Sequence, residues 1–490
     1  MASIEEIREA RLAKLESLKS AGINPYPIDS NISHEVATVI EDFEKLSKKG
    51  KALTLGGRIM AIRAQGGLIF FNIDDGTGKF QALLKKEDVD ARDFELFEST
   101  VDIGDFVEIT GALFTTKREE KTLAVESWRM LSKSLRPLPE KWHGLQDTEE
   151  RFRRRYLDAL MSSEVKERFI ARSKIVTEMR KILDKAGYLE VETPALQALA
   201  GGATALPFVT HHNSLDIDMY LRISDELYLK RMLIAGFPKV YEIARDFRNE
   251  GIDVTHNPEF TMVEFYEAYS DAPKQMKFVE SMLRSIVKNV FEKESIEYAG
   301  ESIDFSKKFA VISYYDLLRR GALLENPESA SAEDLALKAK QLGIDVKGGE
   351  SIPKLLDMIY KKTCRPKIIQ PTFIVDYPVE YLPLAKRQTK NEKLVDAFQL
   401  VAGGIELAKA FSELNDPIDQ KGRFMSEEEN KKAGDDEAQN FDADFIEAME
   451  YGMPPAGGVG IGIDRLVMFL TDTQNIKEVI FFPTMRPKND

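Results

Sequence analysis

Cysteine is almost missing. Cys364 is the only one in 490 residues, so no internal disulfide forms and no cysteine-rich zinc site can be built. The expectation is a reducing, cytoplasmic setting. Apolar runs are short, and none reaches the roughly 18 residues a bilayer-spanning helix needs, so no membrane partner is predicted. The opening residues, Met1 to Gly22, are too densely charged for the apolar heart of a signal peptide. Positive charge is outnumbered: 68 Lys and Arg against 82 Asp and Glu give a net charge of −14, which argues against indiscriminate nucleic-acid binding. A specific RNA partner needs only a local basic face. Arg151, Arg153, Arg154 and Arg155 make one basic cluster, readable as such a face or as an ion-paired helix surface. Phosphate loops, dinucleotide fingerprints and nucleophile elbows are also absent. Any triphosphate would have to be held by arginines and metal.

What is present is an ordinary globular composition, 43% hydrophobic and 31% charged, long enough for two or three domains. In residues 1–50, Ile4, Ile7, Leu12, Leu15 and Leu18 follow a helical period that stops at Gly22 and Pro25. A second helical stretch is expected between Glu35 and Lys49. Residues 51–135 hold five β-prone segments, Thr54–Arg63, Gly67–Asp74, Lys79–Leu84, Phe106–Phe114 and Thr122–Leu131. Turn signals separate them, the pattern of an all-β oligonucleotide-binding (OB-fold) barrel. Residues 136–150, with Pro137 and Pro139, read as a linker. From 151 to 490, long helices mix irregularly with strands, which predicts an α+β domain on an antiparallel sheet. Within it, 271–365 reads as a helical insertion.

Two segments carry chemistry. In a strand over Phe260–Tyr266, Phe260, Met262, Glu264 and Tyr266 share one face and Thr261, Val263 and Phe265 the other. The second face is apolar and expected to pack on a helix. The first either points a carboxylate and a phenol at a ligand or lies half exposed with ordinary polar residues. Gly457–Leu470 reads as a Gly-rich strand that lets another backbone or a flat ligand come close. It runs into a helix opening at Asp464 and Arg465, where an arginine can reach phosphate.

With their neighbours, these segments resemble the three signature motifs of class II aminoacyl-tRNA synthetases, in order: GYLEVETPAL after a helix over 164–185, then VYEIARDFRNEG, then GVGIGIDRLVMF. LRISDELYLKRM, THNPEFTMVEFYEAY, FSELNDPIDQ and AGDDEA resemble the lysine-charging family within that class, and the barrel resembles its anticodon-binding domain. The resemblance implies a homodimer through motif 1 and Mg2+ as cofactor. It implies a two-step reaction, in which ATP and L-lysine give lysyl-adenylate and pyrophosphate before tRNA(Lys) takes the lysyl group on its terminal ribose. Arg248 would meet the α-phosphate and the amino-acid carboxylate, Glu250 the adenine amino group, and His256 the phosphates. Phe260 would stack on adenine while Arg465 covers its other face and reaches the γ-phosphate. Arg248 and Arg465 would be the catalytic pair, acting by position and charge. The lysine ammonium would meet Glu264, Glu413 and Tyr266, with the α-amino group at Glu226 beside Gly202 and Phe411 as a wall. In the barrel, Phe70 would stack on anticodon bases and Gln81 read them, with Arg63 and Glu120 alongside. Phe70 as barrel core is the alternative.

Two positions depart from the family pattern. Gln399 stands where a metal-binding glutamate is usual and Lys409, in the lysine pocket, where asparagine is usual; Glu406, the other metal glutamate, is present. The expectation is fewer Mg2+ ions than usual, with the Lys409 ammonium standing in for one. Alternatively, Lys409 pairs with Glu413, which shares its face at period two. Strict alternation puts Glu406 on the opposite face, so a metal role for it requires a bulge. Two rivals stand beside the synthetase reading: a ligase that attaches a lysine-type residue to an elongation factor, which resembles only the catalytic half, and a non-enzymatic RNA-binding paralogue.

Overall fold

The computed structural model describes residues 3–139, 145–432 and 440–488, in two compact units, Met1–Gln146 and Asp147–Asp490. The AGDDEA segment and residues 140–144 of the expected linker lie outside the described residues.

In the first unit, helix Ile4–Ser20 starts at a capping box: Glu6 N donates to Ser3 Oγ at 3.1 Å and Ser3 N to the Glu6 carboxylate at 2.6 Å. The stretch expected between Glu35 and Lys49 is two short helices, Val36–Glu41 and Phe43–Lys49. Leu18, Val36, Val39 and Phe43 are buried in the same core as the strands, so the helical extension shares the barrel's interior. Leu53–Gln65, Leu68–Asp74, Lys79–Lys85, Phe106–Thr115 and Lys121–Ser132 close the barrel, the third strand pairing with the fifth. A helix absent from the sequence-based expectation, Ala91–Thr100, is capped by Asp90 and links the third strand to the fourth. Where the fourth strand meets the fifth, the register shifts at Gly111. A Cβ there would stand 1.8 Å from the Ala124 carbonyl oxygen, so the two strands close only on glycine.

The second unit is built on an eight-stranded sheet. Its order is Ala310–Ser313, Thr372–Val375, Ala397–Ala402, Ile405–Ser412, Ala456–Gly462, Glu259–Ala268, Lys239–Phe247, Leu189–Glu190. Neighbours run antiparallel except at the two edges, where the outermost strands pair parallel. Helices Ser163–Lys185 and Ala272–Phe291 cover one face, burying Ile175, Met179, Val279, Met282 and Ile286 with Val263, Phe265, Phe398 and Ile461. Removing that apolar area from water is what fixes the sheet's orientation. The opposite face is covered by helix Glu226–Ile234 over Val240 and Tyr266, and by the helices of 314–363 over Ile374, Ala397 and Val401, and stays open between them.

Residues 271–365 are not one helical insertion. Ala272–Phe291 belongs to the central core, a hairpin follows at Ser295–Tyr298 and Glu301–Asp304, and Ala310–Ser313 is an edge strand of the main sheet. Tyr314–Gly321, Ala332–Gln341 and Ile352–Thr363 gather around a second cluster, where Leu318, Leu335, Leu356 and Ile359 pack with Ile374, Ala397 and Val401 of the sheet. The basic cluster proves to be ion-paired: Arg151 and Arg155 both reach Asp158, at 2.9 and 2.6 Å, while Arg153 and Arg154 pair with Glu149 and Glu150. Among the described residues no helix is long and apolar enough to cross a membrane.

Candidate functional site

The open face holds a cleft of about 340 Å³, within the range of small-molecule sites. Two rungs across the sheet make its floor. One runs Ala397, Phe411, Gly458, Tyr266, Val240 and the other Gln399, Lys409, Gly460, Glu264, Glu242. A glycine sits at the middle of each rung, and larger side chains lean over it from both sides. A Cβ on Gly458 would meet Glu413 Oε1 at 2.1 Å and the Tyr266 ring at 2.4 Å; one on Gly460 would meet Met262 Cε at 3.1 Å. The Gly-rich strand is therefore a space-making strand.

At one end of the cleft the chemistry is acidic. Glu264 accepts from Tyr266 Oη at 2.8 Å and Ser224 Oγ at 3.2 Å, and burial, with Glu226 and Asp246 nearby, pushes its carboxyl up to about 8. Glu413, only 1% exposed, does not pair with Lys409. Lys230 takes it instead: the Lys230 ammonium lies 2.5 Å from Glu413 and 2.6 Å from Glu226, and 5.4 Å from the Phe411 ring centre. Burial alone would lower the Lys230 pKa, but the two carboxylates outweigh it and raise it. Lys230 was not among the expected residues; its signal was the i,i+4 spacing from Glu226 on helix Glu226–Ile234. Gly202 borders this end with φ +84°, and a Cβ there would come 3.1 Å from Ser224 Oγ and 3.3 Å from Glu226 Cβ. Behind Glu264 lie Asp225 and Asp246, fully buried. Burial raises Asp225 well above the usual carboxylate range, while Arg222 stands 3.6 Å from Asp246.

The other end is cationic. Arg248 donates through Nε and Nη2 to Ile223 O at 3.3 and 3.2 Å and stacks 4.9 Å from the Phe260 ring centre. Arg465 donates to His256 Nε2 at 2.8 Å. An accepting Nε2 leaves the proton on Nδ1, which donates to Asp253 at 2.9 Å. Glu250 is exposed at the cleft mouth. Asp464, also unforeseen, accepts Thr261 N and an Arg172 Nη1 donor, each at 2.6 Å. It thereby ties helix Ile463–Leu470 to the strand beneath it and to helix Ser163–Lys185. The two free-facing guanidiniums form a receptor for an anion.

The strand bearing Glu406 and Lys409 contains the bulge that a metal role required. Leu400 pairs with Ala408 but Val401 with Glu406, so Leu407 is the extra residue and Glu406 turns into the cleft beside Lys409. Gln399, expected at a metal, is otherwise engaged: its Oε1 accepts from Tyr377 Oη at 2.8 Å. The donor set thus fits a divalent ion anchored by one carboxylate, Glu406, and does not fit the two-carboxylate arrangement that the family pattern has here.

Residues 147–486 match the family model described as tRNA synthetases class II (D, K and N). The chain belongs to this family. Residues 53–131 match the OB-fold nucleic acid binding domain. Over 487 residues the chain is 47% identical to the lysine–tRNA ligase of Pelotomaculum thermopropionicum, covering 99% of this chain and 96% of that protein. It is 45% identical over 485 residues to the lysine–tRNA ligase of Moorella thermoacetica, 99% of each chain. Against that of Roseiflexus sp. it is 46% identical over 487 residues, 99% of this chain and 100% of the relative.

In this class II synthetase the barrel residues share a surface. Phe71 is in the barrel core and Phe70 is not; Phe70 pairs with Arg63 on the outer face, and Gln81, opposite Asn72, continues that face one step along. Gln81 Nε2 donates to Thr122 Oγ1 at 2.8 Å. Glu120 is exposed in the turn just before Thr122.

Proposed function

We propose that this synthetase is an ATP-dependent lysine–tRNA ligase of the cytoplasm, forming lysyl-adenylate and then lysyl-tRNA(Lys). The observation that carries this reading is the juxtaposition, in one cleft, of a buried carboxylate nest with a two-arginine anion receptor. An ammonium leaving water needs paired carboxylates. Glu264, held by Tyr266 and Ser224, meets the side-chain ammonium together with the free Oε1 of Glu413, and Glu226 takes the α-amino group at Gly202. Arg248 then draws the amino-acid carboxylate and the α-phosphate together, neutralising the charge that grows as one attacks the other. Phe260 and Arg465 sandwich the adenine, with Glu250 at its amino group and His256 at the phosphates. No side chain acts as nucleophile; alignment and charge do the work. Glu406 is the residue to hold Mg2+, which when bound withdraws charge from the phosphates. With Gln399 bound to Tyr377, fewer ions accompany ATP than is usual for the family.

For tRNA(Lys), the support is the outer barrel face, where Phe70 offers a stacking platform, Gln81 an amide, and Arg63 and Glu120 flanking charges. A homodimer through motif 1 is supported by Ile170 and Leu189, 45% and 49% exposed on that segment. The barrel weighs against the elongation-factor ligase, which has no use for an anticodon reader. Pyrophosphate exchange with each amino acid in turn tests the reading. Exchange with lysine and charging of tRNA(Lys) are expected. Lysine exchange without charging would favour the elongation-factor ligase, and no exchange with any amino acid would leave the non-enzymatic paralogue.

A further inference from the structure

The cleft contains two lysine ammonium groups in opposite circumstances. Lys230 lies between two carboxylates. Lys409 has no hydrogen-bond or ion-pair partner among the described residues. Glu413 pairs with Lys230 rather than with it, and Gln399 across the rung offers no charge, being neutral and accepting from Tyr377. Its charged neighbours in the cleft are Glu406, brought round by the bulge, Glu226 and Arg248. Burial, with Arg248 adding to it, lowers its pKa against the pull of Glu406 and Glu226. Glu406 too has no hydrogen bond or ion pair among the described residues. A cation left unpaired in a recessed site is costly until an anion arrives, and the arginines beside it already form an anion receptor.

We infer that the Lys409 ammonium binds the nucleotide phosphates directly, supplying at this edge of the cleft the charge that a divalent ion would otherwise bring. The inference rests on the ATP reading above and deepens it. An ammonium brings three donors and a fixed positive charge on a flexible stem. A dication at the same edge would find one carboxylate, Glu406, and the repulsion of Lys409. Nucleotide binding should therefore depend only weakly on divalent ions.

The test uses the full-length protein, Mn2+ and α,β-methylene-ATP, which cannot be cleaved at the bond that adenylate formation breaks. Calorimetry gives the affinity with and without Mn2+, and electron paramagnetic resonance counts bound Mn2+ per bound analogue. For the wild type, removing Mn2+ should weaken binding by less than about tenfold, because Lys409 with Arg248 and Arg465 keeps most of the phosphate charge matched. Lys409→Gln should bind at least about tenfold more weakly without Mn2+, recover as Mn2+ rises, and hold one more ion per analogue. Lys409→Arg, which keeps the charge, should hold the wild-type ion count. The inference is overturned if the wild type loses a hundredfold or more on Mn2+ removal (about 2.7 kcal/mol). It is equally overturned if Lys409→Gln matches the wild type in affinity and ion count. No binding of the analogue to the wild type at saturating Mn2+ would overturn the ATP reading itself, and this inference with it.

Discussion

Glu264→Gln is the substitution that examines the acidic end most directly, since it removes one charge while keeping shape and most hydrogen bonding. The Glu264 carboxyl is pushed up to about 8 by burial, Glu226 and Asp246, so in the empty protein it carries its proton at neutral pH. An incoming ammonium favours the ionised form, and the proton must leave. The sign follows: below about pH 8 each unit of falling pH costs the wild type about 1.4 kcal/mol of lysine affinity, a factor of ten. Above that pH the affinity levels off. A hydrogen bond to a charged group contributes about 1.5–3 kcal/mol, so at pH 8 the variant should bind lysine about 10 to 150 times more weakly. At pH 6 the wild type has lost about a hundredfold by linkage and the gap should nearly close. Asp246, pushed up to about 6, titrates only at the lower edge of this window. Calorimetry of L-lysine binding at pH 6, 7 and 8, in two buffers of different ionisation enthalpy, reads both affinity and proton release. Burial also pushes Glu413 up to about 8 against the pull of Lys230, but that group is present in both proteins, so at pH 7 the wild type should release about one proton more than the variant. A gap that stays constant from pH 6 to 8, or equal proton release by both proteins, would refute the reasoning.

Gly458→Ala places a methyl 2.1 Å from Glu413 Oε1 and 2.4 Å from the Tyr266 ring, both side chains being buried. Overpacking of about 1–3 kcal/mol should appear as a raised KM for lysine with a near-normal KM for ATP in pyrophosphate exchange. Phe70→Ala should leave pyrophosphate exchange unchanged and raise the KM for tRNA(Lys), by the roughly 1–3 kcal/mol of one base stack. Asp464→Asn strips the Arg172 guanidinium of its carboxylate and should lower stability by about 3 kcal/mol, read as an earlier urea midpoint with an unchanged slope. Arg248→Lys should cut the exchange rate by about a hundredfold or more, since a point charge cannot replace a planar fork held by Ile223 O.

Local periodicity carried much of this molecule. Alternation along Phe260–Tyr266 sorted Val263 and Phe265 to the core and Glu264 and Tyr266 to the cleft, and the five barrel strands lie within a few residues of their expected bounds. What sequence could not yield were relations between distant segments. Lys230 looks like an ordinary surface lysine until the strand bearing Glu413 is laid beside its helix. Gln399 reads as a weakened metal ligand until Tyr377 is seen to occupy its oxygen. The 271–365 segment failed for a related reason: amphipathic helices look alike whether they join the central core, as Ala272–Phe291 does, or a separate cluster over the strands Thr372–Val375 and Ala397–Ala402, as the three later ones do. The bulge at Leu407 lay between. Sequence could state that Glu406 needed it, and only the pairing with Ala397–Ala402 could supply it.

The family joins enzymes whose amino acids differ mainly in side-chain charge, so the count of charges at the acidic end bears on selection. Lys230 lies between Glu226 and Glu413, with Glu264 beside them, so that ammonium balances one charge of the three carboxylates. Two remain, matching the two ammonium groups of lysine, whose carboxylate belongs to Arg248 at the other end. An amide side chain would leave one buried carboxylate unmatched, and an acidic side chain would meet like charge among these carboxylates. Either mismatch leaves buried polar groups unpaired, which makes rejection steep, on the order of 10⁴-fold. Lys230 is thus what holds the pocket's surplus at two charges rather than three. Lysine carries the number of charges that surplus requires, and neither relative does.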